Sequence, residues 1–186
     1  MSVLNLPDCP TGCDTGLPAV DFDICAPELH YGEIEKIYIA AADAADFTNV
    51  EDLAEWTTRL SESAFVTGDE IRALTVIGEL PEPEQTEQTI SGDRTAVGFK
   101  QFTVNFEVDE TNDINYNWLL TLECNVKFKF WFETADGLLY GGNEGILATI
   151  RVNQVIPRER TELAKFIGTA KWKSQFSPLR CLSPNA

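Results

Sequence analysis

Alternation of apolar and polar residues at every second position constrains this chain more than any other feature of its sequence. Phe102, Val104, Phe106 and Val108 alternate with Thr103, Asn105 and Glu107, while Val126, Phe128, Phe130 and Phe132 alternate with Lys127, Lys129 and Trp131. A period of two sends successive side chains to opposite faces, so each segment predicts a strand with one face on a core. Between them, Asp113 is placed to cap a helix. Ile114, Trp118 and Leu122 stand four apart on it, with Leu119 beside them, and are expected to share one face. That face predicts a plug over the open end, or the apolar face, of the sheet built by the flanking strands.

The same signals recur along the chain. EIEKIYIAAA (33–42), EIRALTVIGEL (70–80), LLYGG (138–142), GILATIRVNQVIP (145–157) and TELAKFIGTAKWKS (161–174) read as further strands, with ADG (135–137) as a tight turn. FTNVEDLAEWTTRLSE (47–62) reads as a helix that Asn49 caps and that Glu51 and Asp52 favour at its positive end. Its Val50, Leu53, Ala54, Thr57 and Leu60 form the expected buried stripe. Residues 1–27, rich in Pro, Cys and Gly, read as an extended N-terminal arm in which FDIC (22–25) offers a short edge strand. PEPEQTEQTISGDRTAVG (81–98) is expected as a long loop or an extended hairpin arm, and residues 175–186 as a C-terminal tail. The whole is mainly β (α+β): an antiparallel β-sandwich or small barrel over residues 28–174, with one or two short packed helices.

Charge narrows the partners. Residues 1–125 hold 25 carboxylates against 5 lysines and arginines, whereas residues 126–186 hold 5 against 9, for a net charge of −16 overall. So acidic a first portion repels nucleic-acid phosphate, and no specific nucleic-acid binding is expected. The split allows an acidic face of one copy to meet a basic face of the next, as head-to-tail contacts require. The N-terminus carries neither a basic nor an apolar leader region, and no apolar run is long enough to span a membrane.

The search for chemistry returns little. His30 is the one histidine and stands without a recognisable serine or cysteine nucleophile motif. Cys9, Cys13, Cys25, Cys124 and Cys181 are odd in number, and the C-x₃-C of Cys9 and Cys13 lacks the second close ligand pair of a zinc knuckle. GLLYGGNEG (137–145) matches no phosphate-binding pattern and is expected to supply turns and close backbone approach. DETND (109–113) lacks the glycine and terminal glutamate of a calcium loop. No catalytic, cofactor or metal residue is assigned. Trp131, outward between lysines, reads equally as an interface anchor and as a side chain covered by the arm or a helix. A small hydrolase or carbohydrate-binding domain with Trp131 or Trp172 as a sugar platform is the remaining enzyme-type reading.

The order of strand, helix, strand ending in ADG, short strand with YGG, long strand and final strand with TAKWKS resembles the tube-forming proteins of bacteriophage tails, which share a fold with the tube protein of type VI secretion. Segments such as VDETND and VIPRERTE are similar to those of virion proteins from phages and prophages of Bacteroidetes. The resemblance covers the order of elements over residues 33–174. It implies a homo-oligomeric, hexameric ring stacked into a tube that passes DNA, in a virion, beside other tail or virion proteins. The 81–98 segment and the arm would then reach adjacent rings. Glu82, Glu84, Glu87, Arg94, Trp131, Arg158 and Arg160 are the candidate assembly-interface residues. The helix at 50–61 and the cysteine-bearing arm depart from that family and leave a tail terminator, connector or capsid decoration protein as the alternative.

Overall fold

The computed structural model describes residues 30, 32–61, 68–91, 94–123, 127–159, 161 and 163–185, with backbone alone for 86–91 and 94–97. The chain divides into a unit of residues 1–30 and a unit of residues 31–186. Of the first, His30 is described, and it is exposed. The expected arm, its FDIC strand, and Cys9, Cys13, Cys25 and Cys124 lie outside the described residues.

Among the described residues nine strands and two helices follow in order: β1 (Ile34–Ala41), α1 (Leu53–Leu60), β2 (Ile71–Glu79), β3 (Glu84–Ser91), β4 (Arg94–Val108), α2 (Asp113–Thr121), β5 (Lys127–Thr134), β6 (Leu138–Tyr140), β7 (Ile146–Val155), β8 (Lys165–Ser174) and β9 (Arg180–Leu182). Strands β1-β2-β4-β8-β7-β5 are each hydrogen-bonded to the next, and β5 pairs back onto β1. Every pairing is antiparallel. The result is a closed six-stranded barrel, which removes the open edges that a flat sheet would carry.

The barrel is filled by the residues that alternate inward. Phe102, Val104, Phe106 and Val108 of β4 meet Phe166, Ala170 and Trp172 of β8 and Ala148, Ile150 and Val152 of β7. Large and small side chains face one another, as a narrow barrel demands. Phe106 lies directly opposite Gly168 in the ladder, and a Cβ on Gly168 would come within 2.2 Å of its ring. The glycine is thus the space that the phenylalanine occupies. In β1 the register shifts between Ile34 and Lys36, so Ile34, Ile37 and Ile39 all reach the interior despite their uneven spacing.

Both helices differ in detail from the sequence expectation. Asn112, not Asp113, caps α2, accepting from the Asn115 N–H at 2.9 Å. Leu119 and Leu122 are buried against the barrel core, with Tyr116 and Trp118 packed beside them, whereas Ile114 is 81% exposed. Tyr116, Leu119 and Leu122 recur at intervals of three, which turns the buried face away from Ile114. The helix covers the core as expected, but through a rotated face.

Helix α1 starts later than expected, because Asn49 closes a turn onto the Glu51 N–H at 3.1 Å and Asp52 caps Ala54 at 2.9 Å. Its anchor is Trp56, fully buried, while Leu53 of the expected stripe is half exposed. Trp56 joins Tyr38, Ala40, Ala44, Phe47, Val50, Ile71, Trp131 and Leu139 in a second core on the outer surface of β1 and β5.

Two segments are now placed. Of the two readings of 81–98, the extended hairpin holds: β3 pairs with the first half of β4 from Glu84↔Gln101 to Ser91↔Arg94. Thr86, Thr89, Ile90, Thr95 and Val97 supply β-branched residues that favour strands, which outweighs the polar composition. The 175–186 segment is no free tail, because β9 pairs with β6 and completes the sheet.

Candidate assembly surfaces

The outward faces of β4, β8 and β7 form one continuous surface whose charge is graded. Register places Thr103 beside Lys171 beside Thr149, then Asn105 beside Thr169 beside Arg151, then Glu107 beside Ile167 beside Asn153. At the β2 and β3 margin of this surface stand Glu79 and Glu84, opposite Asn105 and Gln101. Arg151 on β7 and Lys171 and Lys173 on β8 are exposed, Lys173 beside Gln101, whose other neighbour is Glu84. Thr149, Arg151, Asn153, Thr169 and Lys171 line an open depression there. Lys165 pairs with Glu107 at 2.6 Å between two part-exposed side chains, which contributes little to stability in water.

The candidate residues chosen from sequence fall at separate places. Glu82 and Glu84 are exposed where the chain passes from β2 into the β3–β4 hairpin. Glu87 opposes Val97 and Arg94 opposes Ser91 further along it. Arg158 is exposed in the turn after β7, and Arg160 lies outside the described residues. The hairpin leaves the barrel beside the C-terminal end of β8, whereas Arg158 follows the C-terminal end of β7, which pairs with the start of β8. Antiparallel pairing therefore puts the acidic hairpin and the Arg158 turn at opposite ends of the barrel. Arg151, Lys171 and Lys173 escaped sequence reasoning, although each stands in the polar row of an alternating segment, ATIRVNQ or AKWKS.

Trp131 is a correction. It is fully buried beneath Trp56 of α1 and Phe47, as the covered reading expects and the interface-anchor reading does not. It points outward from the barrel, as its parity requires, but the outer face of β5 is itself covered. Phe47 meets it edge-on at 5.5 Å and Trp56 at 6.1 Å. Its Nε1–H donates to the Gly142 carbonyl at 2.9 Å. The glycine-rich loop fits around the indole: a Cβ on Gly141 or Gly145, both at positive φ, would come within 2.4 and 2.5 Å of it. The expectation of close backbone approach in this loop is met here. Lys129, next to it on the same face, pairs with Asp46 and donates to the Ala44 carbonyl at 2.6 Å. Trp172 is buried in the barrel, so neither tryptophan offers a sugar platform.

One charged side chain, Glu133, is buried among the described residues, at 3% exposure on the outer face of β5. Its carboxylate accepts from Lys36 Nζ at 2.9 Å, from the Tyr38 hydroxyl at 2.7 Å and from the Ser183 hydroxyl at 2.8 Å. Lys36 also donates to the Asn185 carbonyl at 3.3 Å. A carboxylate buried with three donors is compensated by charge and by hydrogen bonds together. The network spans β1, β5 and the segment after β9, and no local signal in the sequence joins them.

Burial raises the Tyr38 phenol well above the ordinary tyrosine range; its hydrogen bond to Glu133 and that carboxylate's charge add to the shift, and Asn185 opposes it. The sign follows from linkage. Above pH ~10 the unfolded phenol gives up its proton while the folded one keeps it, so stability present below that pH is lost as pH rises. Tyr38→Phe is expected to make the alkaline fall in unfolding free energy shallower by up to about 1.4 kcal/mol per pH unit. Urea titrations at a series of pH values measure it, and an unchanged slope would remove Tyr38 as the cause. Burial, with a smaller effect of the Glu51 charge, also pushes the Cys181 thiol up.

No protein-family model, curated protein or solved structure matches the chain. Among the described residues no group of three or more His, Cys, Asp or Glu side chains is placed to hold a metal ion. No helix there is long and apolar enough to cross a membrane.

Proposed function

We propose that this chain is a structural virion protein that assembles with itself, head to tail, into rings stacked as a phage tail tube that conducts DNA. The observation that carries the reading is the pairing of unlike surfaces on one barrel. A hairpin extends past the barrel from a base that carries Glu82 and Glu84, and a sheet face bearing Arg151, Lys171 and Lys173 lies beside that base. A heterologous contact needs two different complementary patches on one molecule, and a closed ring forms when their rotation closes. The hairpin adds support. Before Lys100 of β4 and along the outer edge of β3, no described strand pairs with it. An isolated two-stranded ribbon is marginal in water and gains by packing on a neighbour. The net charge of −16 suits a passage through which DNA must slide without sticking.

Negative-stain electron microscopy of the purified chain is expected to show rings or tubes. Lys171→Glu with Lys173→Glu, two exposed changes on the outer face, should abolish them while moving stability by no more than ~1 kcal/mol in total. High salt should weaken the contact in the same direction. Rings that never stack favour a terminator or connector, and monomers or trimers that bind only a preassembled shell favour a decoration protein. A monomer at high concentration in both low and high salt, binding no virion component, overturns the reading.

A further inference from the structure

The segment from Leu179 to Asn185 is held almost entirely by a site that the rest of the barrel builds without it. Strand β9 makes three ladder pairs with β6, Leu138↔Leu182, Leu139↔Cys181 and Tyr140↔Arg180. Gly141 N–H donates to the Leu179 carbonyl at 3.1 Å, and Ser183 N–H donates to the Gly137 carbonyl at 2.8 Å. Past the strand, Ser183 and the Asn185 carbonyl dock on Glu133 and Lys36. The receiving groups belong to β1, β5 and the β5–β6 and β6–β7 turns, all of them remote in sequence from the segment they hold.

The segment's other side is poorly satisfied in a single copy. Leu179 is 70% exposed and Leu182 73%, and no described strand pairs with the outer edge of β9. The link back to β8 is four residues, 175–178, ending in Pro178. A short strand at the edge of the sheet, an acceptor built from remote elements and a brief proline-bearing hinge are the conditions under which an identical element passes between copies at little energetic cost. Every contact made within one copy is remade between two.

We propose that the β6 edge, together with Lys36, Tyr38 and Glu133, is a strand-binding site that takes residues 179–185 from a second copy of this chain. The site recognises an extended segment by its backbone, as strand addition does. The buried carboxylate reads the serine hydroxyl and Lys36 reads the carbonyl two residues later. The exchange would give each copy a covalently continuous grip on its neighbour, and it rests on the self-assembly reading above.

Leu139→Cys tests it, because Leu139 and the native Cys181 are direct cross-strand partners, a spacing that suits a disulfide. The other four cysteines are replaced by serine in this chain and in its control. Oxidation with diamide after assembly is expected to give a ladder of covalent dimers and larger species on a non-reducing gel, absent from the control. Oxidation before assembly should lock the strand within one copy and slow ring formation at least tenfold. The pair Leu138→Cys and Leu182→Cys, with Cys181 as serine, repeats the test from the opposite face and spares the packing of Leu139. Normal rings that yield only internally bridged monomers overturn the exchange and leave the ring reading intact. A chain that forms no assembly before any oxidation overturns both.

Discussion

Trp131→Ala is expected to lower the unfolding free energy by about 3–5 kcal/mol, the range for removing a fully buried large aromatic. The indole fills the space between the outer surface of β5, Trp56 and Phe47, and is wrapped by Gly141 and Gly145. Its removal leaves a cavity that cannot collapse easily. The barrel forms the floor, and Asn143 ties the roof down by accepting from Phe47 N–H and Val50 N–H, both at 2.9 Å. The Gly142 carbonyl also loses its indole donor. For a chain of this size the loss corresponds to a fall in melting temperature of roughly 6–20 °C. Chemical denaturation measures it directly. The competing role, an interface anchor, makes the opposite forecast: near-native stability of the single chain and failed assembly. A loss below ~1 kcal/mol with assembly abolished would restore that role.

Glu133→Ala follows, with an expected loss of about 2–4 kcal/mol. The substitution leaves the Tyr38 hydroxyl buried without its acceptor and releases both Ser183 and Lys36. Lys36 is about a third exposed and can turn to water, which keeps the figure below that for a wholly enclosed pair. Glu133→Gln keeps an acceptor oxygen and should lose less than the alanine variant. Hydrogen exchange distinguishes the local from the global part, since amides of 179–185 should lose protection before those of the barrel. Stability within ~0.5 kcal/mol of the native chain, with protection at 179–185 unchanged, would mean that the network does not hold the segment.

How much of this was legible depends on the range over which each signal acts. The inward rows of β4 and β5 were visible because alternation is a local property, and Phe102 to Val108 and Phe128 to Phe132 lie where their parity puts them. The uneven spacing of Ile34, Ile37 and Ile39 carried the bulge of β1 in plain view. The basic face was equally present in the alternation of β7 and β8, but a polar parity row says only that side chains point away from the core. Trp131 shows the limit of that rule. Its row faces away from the barrel interior, and a second core covers it. Polar composition left 81–98 open between a loop and a hairpin, and short length hid the strand at 180–182; pairing with a neighbour decided both.

The sequence by itself determined the class of the fold, the positions of its main strands and the separation of acidic from basic portions, because these follow from periodicity and composition within short windows. Only the tertiary structure decided that the sheet closes, that β5 is covered on both faces, and that Lys36, Tyr38, Glu133 and Ser183 meet. Those outcomes depend on pairings such as Tyr38↔Trp131 and Leu139↔Cys181, across some ninety and forty residues of chain. Nothing in a local pattern specifies which distant strand will satisfy a given edge. That choice belongs to the whole molecule, which must pair its backbone and fill its interior at once.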